Sequence, residues 1–270
     1  MIPTLIAHAR KILIKIGSNT LADHDGRINT RFLEEFADQT SALIKGGKQI
    51  VMVSSGAQVA GLSTLGKWAR KQDIHYKQAL CAVGQVELMA AWGRAFAPHR
   101  LHIAQILLTQ DDFGDSIRTL HMRNTLFTLV DEGIIPIINE NDTVSVEEIK
   151  IGDNDTLAAQ SAVLWSADLL ILLSDIEGLY NRNPKEYPAA ELLREVRDIP
   201  AVRSQISLGK SNNFGTGGMA TKLDAAERVV SYGIPLILAQ GGRPRALEAL
   251  AAGTQDGTVF LAPPQEAPHQ

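Results

Sequence analysis

Short, unbroken apolar runs recur along the chain: KILIKI (11–16), QIVMV (49–53), IAQILL (103–108), IIPII (134–138), DLLILL (168–173), IPLILA (234–239) and TVFLA (258–262). They do not alternate apolar with polar positions. Runs of this kind predict strands buried on both faces, hence a mostly parallel sheet covered by helices. Segments of helical length and composition fill most gaps, at 30–47, 76–97, 123–133, 155–166 and 219–233, and several close on glycine. The alternation predicts an α/β fold of doubly wound type. The weakly patterned stretch 181–215 predicts a short helix at 189–197 and then a mobile loop, and the tail PPQEAPHQ (263–270) reads as disordered.

The residues just after each run are of one kind. GSN comes after 11–16, SSGA after 49–53, TQDD after 103–108, NEND after 134–138, SDIEG after 168–173 and QGG after 234–239. Small and polar residues thus gather at the carboxyl ends of the strands, where open parallel sheets bind ligands.

Three of these turns, and a separate glycine-rich loop, invite specific chemistry. Lys15 ends a buried apolar run, an expensive place for an ammonium unless it meets an anion. Gly17 beside it would let backbone N–H groups approach that anion. SSGAQVAG (54–61) reads either as an anion-holding turn or as an ordinary tight turn. GTGGMATKLDAAERV (215–229) runs a glycine-rich loop into a helix carrying Lys222, a pattern suited to a nucleoside triphosphate. Two look-alikes fail. GTGGMA matches a dinucleotide fingerprint formally, but SLGKSNNF rather than a strand precedes it. GKS (209–211) would need a glycine at 204, which is Ser204. In LLSDIEGLY (172–180), Asp175 either orients a metal or ribose or caps a turn.

Composition excludes several classes. The 270 residues are 45% hydrophobic and 21% charged, enough for a sizeable core and unlike a disordered chain. A net charge of -4 gives no electrostatic reason for a nucleic-acid partner. The single cysteine, Cys81, cannot form an internal disulfide, which fits a reducing compartment; its apolar neighbours predict a buried small hydrophobe. No apolar run approaches the ~18 residues needed to span a bilayer. The apolar start MIPTLIA meets His8, Arg10 and Lys11 at once, and no cleavage pattern comes after it. A cytoplasmic chain with no membrane partner is expected.

KIGSNTL, SSGAQVAG, KQALCAVGQVELM, IPIINENDTVSVEEIKIGDNDTLAA, ADLLILLSDIEGLY and GTGGMATKLDAA occur here in the same order as in the amino acid kinase family, and the chain resembles its glutamate-phosphorylating members from residue 10 to 262. The NEND and GDND clusters carry the specific part of the resemblance; Lys15 and the glycine-rich turns are shared more widely. The resemblance implies an α-β-α sandwich around a mostly parallel open sheet, with one kinase domain over 1–262. It implies transfer of the ATP γ-phosphoryl group to the side-chain carboxylate of L-glutamate, with Mg2+ carried by ATP. It places ATP at Lys15, Gly17, Ser174, Asp175, Thr216, Gly217, Gly218, Met219, Ala220, Thr221 and Lys222. It places glutamate at Ser55, Gly56, Ala57, Asp142 and Asn154, with Lys15, Lys222 and Asp155 catalytic. Feedback by proline, with 58–80 as a contributing loop, a homo-oligomer (dimer or tetramer) and hand-over to glutamyl phosphate reductase are further implications. Members commonly carry a C-terminal PUA domain, which this chain is expected to lack.

On this basis Lys15 and Lys222 are expected to flank the transferred phosphoryl group. Gly17 and Gly56 would supply amide donors, and Asp155 would hold both lysines. Glu140 and Asp153 read as turn or cap residues. The nearest rival is a kinase of the same family acting on acetylglutamate, aspartate, carbamate or UMP. A non-catalytic amino-acid sensor on the same fold would have lost a lysine or Asp155, and a nicotinamide-dependent oxidoreductase would need a glycine fingerprint that KIGSNT lacks.

Overall fold

The computed structural model describes residues 1–66, 73–145, 154–184, 186–207 and 218–263. In chain order its elements are α1 (Ile2–His8), β1 (Lys11–Ile16), α2 (Ser18–Leu21), α3 (Thr30–Lys45), β2 (Gln49–Ser54), α4 (Ala57–Leu65), α5 (Ile74–Phe96), β3 (Ile103–Leu108), α6 (Ser116–Asp131), β4 (Ile135–Glu140), α7 (Asp155–Trp165), β5 (Leu169–Ser174), β6 (Glu195–Val196), α8 (Ile199–Ser207), α9 (Gly218–Ser231), β7 (Leu236–Gln240), α10 (Ala246–Ala252) and β8 (Thr258–Phe260). The strands form one eight-stranded sheet in the order β3-β4-β2-β1-β5-β7-β8-β6. All pairings are parallel except β7 with β8.

Strand parity decides which side chains reach which helices. Ile12, Ile14 and Ile16 of β1 pack on one side with Leu33 and Phe36 of α3 and Leu88 and Trp92 of α5. Leu13 packs on the other with Leu157 and Ala158 of α7 and Leu223 and Ala226 of α9. Both faces are therefore covered, which is why β1 is an unbroken apolar run. Lys15 shares the parity of Leu13, so it turns toward α7 and α9.

One helix crossing is unusually close. A Cβ added to Gly84 of α5 would lie 1.8 Å from the carbonyl oxygen of Ala57, and one added to Gly61 of α4 would lie 1.9 Å from that of Leu80. The absence of side chains at these two positions lets α4 and α5 touch backbone to backbone. This fixes α5 against the turn that starts α4.

Two expectations are corrected. The helix predicted at 189–197 is not there: Leu192 bridges to Tyr180, and Glu195–Val196 pairs with Val259–Phe260 at the sheet edge. The helix starts instead at Ile199, where the Asp198 carboxylate accepts from the N–H of Ala201 and Pro200 occupies the first turn. The loop predicted after it lies partly on residues 208–217, outside the described residues, as does the tail from 264. Asn139 and Glu140 are the last residues of β4 and are buried, so Glu140 is not a turn or cap residue; Asp153 lies outside the described residues.

Candidate active site

Because β1, β2, β4, β5 and β7 run the same way, their carboxyl ends meet at one edge. Ile16 is level with Ser54 of β2 and Leu173 pairs with Ile16 from the other side, while Ser174 is level with Gln240. The polar turns after the strands therefore share a rim, and it divides into two groups of side chains.

The first group is a triad. Lys15 Nζ lies 2.6 Å from Asp155 Oδ1, and Lys222 Nζ lies 2.9 Å from Asp155 Oδ2. Lys222 Nζ also donates to the Gly218 carbonyl oxygen at 3.0 Å, one turn back along α9. Asp155 is fully buried, and the lysines are 5% and 8% exposed. Three elements supply one residue each: the carboxyl end of β1, the first residue of α7, and the second turn of α9. At the N-terminus of α7 the helix dipole adds to the lysines in favouring the ionised carboxylate. Such burial of charge is tolerated only with short, charge-assisted bonds of this kind.

The second group surrounds Asn154. The side chain of this helix-start residue makes no capping bond. Its Nδ2 donates instead to Ser55 Oγ (3.0 Å) and Asn139 Oδ1 (2.8 Å), so the NEND and GDND clusters do converge. Asn139 Nδ2 in turn donates to Gln85 Oε1 at 2.8 Å. Nearby, Ser145 donates to Glu140 Oε1 at 2.5 Å, and Gln78 Nε2 donates to the Asp142 carbonyl oxygen at 2.9 Å. Asp142 Oδ1 and Asn154 Oδ1 are buried acceptors with no hydrogen-bond partner among the described residues. Burial, with the Glu140 charge adding to it against a hydrogen bond from Cys81, pushes the Asp142 carboxyl up to about 7. Two buried acceptors beside a second carboxylate are suited to a cationic group.

The remaining candidates fall at the rim or outside it. Gly56 holds φ at 99°, a left-handed conformation that suits glycine, and lets α4 begin at Ala57 beside the buried Ser55. The first N–H groups of α4 have no partner within that helix. Gly17 is corrected: its N–H donates to the Leu173 carbonyl oxygen at 3.1 Å, extending the β1–β5 ladder, so it is not the amide donor expected. A Cβ there would lie 3.4 Å from that carbonyl oxygen and 4.0 Å from Lys15 Nζ, both ordinary contacts. Ser174 donates to Asp175 Oδ1 (3.0 Å), and Asn19 donates to Asp175 Oδ2 (3.2 Å). Burial works against ionisation of Asp175; the bonds from Ser174 and Asn19, and the Lys222 charge, outweigh it and hold its carboxyl below the ordinary range. Gly218 opens α9, Met219 is buried in the core beside Leu223, Ala220 is exposed, and Thr221 Oγ1 lies 3.4 Å from the Gly218 carbonyl oxygen. Thr216 and Gly217 lie outside the described residues, as do residues 67–72 of the 58–80 loop expected to contribute to proline feedback.

Asn139, Gln85, Gln78, Cys81 and Asn19 escaped the motif reading. Gln78, Cys81 and Gln85 lie at one-face helical spacing on α5, but that helix also carries His75, Lys77, Glu87 and Arg94, so the pattern alone does not single them out. Cys81 is buried as expected, but its thiol also bonds to Asp142.

Among the described residues, no group of three or more His, Cys, Asp or Glu side chains is placed to hold a metal ion. No described helix is long and apolar enough to cross a membrane.

The chain is similar to known kinases. The model of the Amino acid kinase family matches residues 10–240. The chain is 59% identical to a glutamate 5-kinase of Alkaliphilus metalliredigens over 262 residues, which is 97% of this chain and 99% of that one. It is 56% identical to a glutamate 5-kinase of Alkaliphilus oremlandii, again over 97% and 99% of the two chains. Among solved structures, carbamate kinase from Giardia lamblia bound to AMP-PNP shares the fold at a TM-score of 0.66 and 14% identity, covering 95% of this chain and 100% of that one.

Proposed function

The chain belongs to the amino acid kinase family, and from that membership we propose that it transfers the γ-phosphoryl group of ATP to the side-chain carboxylate of L-glutamate, releasing L-glutamyl 5-phosphate for proline biosynthesis. The observation that carries this reading is a pair of buried lysines on one carboxylate, set beside buried acceptors that have no partner among the described residues, on the same sheet edge.

The attacking carboxylate is already ionised at neutral pH, so no general base is required. The barrier lies in bringing anions together and in charge that spreads over the transferred oxygens. Two ammonium groups against one carboxylate leave the triad with a formal excess of positive charge, in surroundings that strengthen its field. We assign Lys15 and Lys222 to the transferred phosphoryl group, and Asp155 to holding both lysines in place before substrates arrive.

Substrate recognition rests on the second group. An α-ammonium ion needs acceptors, and Asp142 Oδ1 and Asn154 Oδ1 are acceptors without partners among the described residues. Carboxylate oxygens need donors, and Ser55 with the first amides of α4 at Gly56 and Ala57 supplies that chemistry. ATP is assigned to Ser174, Asp175 and the 216–222 segment, with Lys15 shared between the two substrates.

Mg2+ would arrive with ATP, held chiefly by phosphate oxygens, and would neutralise part of their charge. Asp175, exposed and held ionised, is an oxygen donor of the kind such an ion takes. The proposal extends to feedback by proline at the ammonium pocket, to a homo-oligomer in the cytoplasm, and to hand-over of the reactive acyl phosphate to glutamyl phosphate reductase.

The test is to incubate the protein with Mg-ATP, hydroxylamine and, separately, glutamate, acetylglutamate, aspartate and carbamate. Hydroxamate formed with glutamate is the expected result. Hydroxamate with another acid alone, or with none, overturns the proposal.

A further inference from the structure

Helix α5 carries three residues at one-face spacing, Gln78, Cys81 and Gln85, and each touches the 139–145 segment. Gln78 holds the Asp142 carbonyl oxygen, Cys81 the Asp142 side chain, and Gln85 the amide of Asn139. Gln85 is 8% exposed and shares its face of α5 with the fully buried Leu88 and Trp92 as well as with Gln78 and Cys81. A buried amide in such surroundings costs free energy unless its bonds offset it, and Gln85 Nε2 has no partner among the described residues. Core packing does not require a glutamine here.

The bonds form a chain with a direction. Gln85 Oε1 accepts from Asn139 Nδ2. Asn139 Oδ1 accepts from Asn154 Nδ2 and from the Glu140 N–H. Asn154 Nδ2 also donates to Ser55 Oγ, so that amide has both hydrogens committed. A primary amide can in principle be turned end for end, exchanging its oxygen and nitrogen. Here a turned Asn139 would set its NH2 against the NH2 of Asn154 and against the Glu140 N–H, and its oxygen against Gln85 Oε1. The chain has one consistent polarity, and in it Asn154 Oδ1 is left as an acceptor.

We infer that Gln85 is a positioning residue for the amino-acid substrate: through Asn139 it orients Asn154 so that Oδ1 faces the substrate as an acceptor, and it thereby selects a dicarboxylate bearing an ammonium group over a plain dicarboxylate of the same length. This inference rests on the proposal that glutamate is the substrate. Cys81 and Gln78 do the corresponding work for Asp142, so the ammonium pocket is built by α5 rather than by the loop alone. The α4–α5 backbone contact through Gly61 and Gly84 gives that helix a rigid seat.

The experiment compares the wild-type protein with Gln85→Met, close in volume but without the acceptor, and Gln85→Glu, which keeps an oxygen toward Asn139. Steady-state constants for glutamate and ATP are measured, with the inhibition constant of glutarate, which lacks the ammonium, against glutamate. In Gln85→Met the glutamate KM rises about 10- to 100-fold, the loss expected when a bond to a charged group is no longer oriented. Its kcat at saturation, its ATP KM and its glutarate inhibition constant stay within about 3-fold of wild type, because none of them uses the ammonium contact. Gln85→Glu keeps a glutamate KM much nearer wild type than Gln85→Met does. Loss of glutarate affinity in step with glutamate, a fall in kcat without a rise in KM, or equal behaviour of the two variants overturns the inference. If Gln85→Met does not fold, a Gln85→Glu protein with wild-type glutarate inhibition and more than about 10-fold weaker glutamate use has the same overturning force. Absence of glutamate-dependent ADP release from the wild type is a different failure, and it falls on the proposed function.

Discussion

Lys15 and Lys222 share one buried carboxylate, each bound to a different oxygen of Asp155. Asp155 lies 140 residues from Lys15 and 67 from Lys222 along the chain. Their spacing depends on β1, α7 and α9 packing together, so the charge assigned above to the phosphoryl group is preorganised by the fold.

Lys222→Ala removes one of these charges without touching the Asn154 group. The expected outcome is a kcat lowered by about 100-fold or more, the scale of losing one preorganised charge contact in a transition state. The glutamate KM should change by no more than a few-fold. Coupled ADP-release kinetics at saturating and limiting glutamate measure both quantities; a kcat near wild type would remove Lys222 from the chemical step.

Asp142→Ala acts on the other group. Its loss deprives an ammonium ion of a buried acceptor, so the glutamate KM should rise at least about 30-fold, the scale of a charge-assisted bond. The ATP KM should stay close to wild type. Equal rises in both constants would contradict an ammonium contact.

The Asp142 carboxyl, pushed up to about 7 from an ordinary value of 3.8, gives a pH prediction with a definite sign. Below 3.8 the group is protonated in both the folded and unfolded chain, and its contribution to stability is fully present. Between 3.8 and about 7 the folded chain keeps a proton that the unfolded chain has released, so stability falls as pH rises. Without substrate, the Tm of Asp142→Asn relative to wild type should therefore climb from pH 4 toward pH 7.5. An ionised Asp142 is the better acceptor, so the glutamate KM should rise as pH drops below 7. Thermal melts and kinetics across that range test both; Glu140 and Cys81, the neighbours that tune the group, stay unchanged.

Gly84→Ala tests the seat of α5. A methyl group 1.8 Å from the Ala57 carbonyl oxygen cannot be accommodated without separating α4 from α5. The expected cost is about 3 kcal/mol or more, at the upper end of overpacking, lowering Tm by roughly 6–12 °C for a domain of this size. Because α5 carries Gln85 and Cys81, glutamate affinity should fall with it. A Tm within about 1 °C of wild type would mean that the two helices can move apart freely.

Much of the architecture was legible because its strands are buried on both faces. β1 matches the apolar run 11–16 at both ends, and β3 matches 103–108 although this edge strand is only partly buried, unlike the two-face burial the run predicts. β4 was read short, since Asn139 and Glu140 break the apolar pattern although they lie buried in the strand. The two-residue β6 and the four-residue α2 are too short for any periodicity to show. At the site, Lys15 could be found because an ammonium in an apolar strand conflicts with its surroundings. Gln85 could not, because one glutamine in a long helix conflicts with nothing until its neighbours are known.

The order of residues by itself indicated every strand but β6, five of the helices and the polar turns at one sheet edge, because these depend on local pattern and on the rule that parallel strands share a direction. Tertiary structure decided the rest. It alone showed that Lys15 and Lys222 meet on Asp155 and that the Gly17 amide is spent on Leu173. It alone showed that Asn154 donates to Asn139 and Asn139 to Gln85. Hydrogen bonds between residues far apart in the chain leave no periodic trace; their partners and direction exist only once the helices have packed on the sheet.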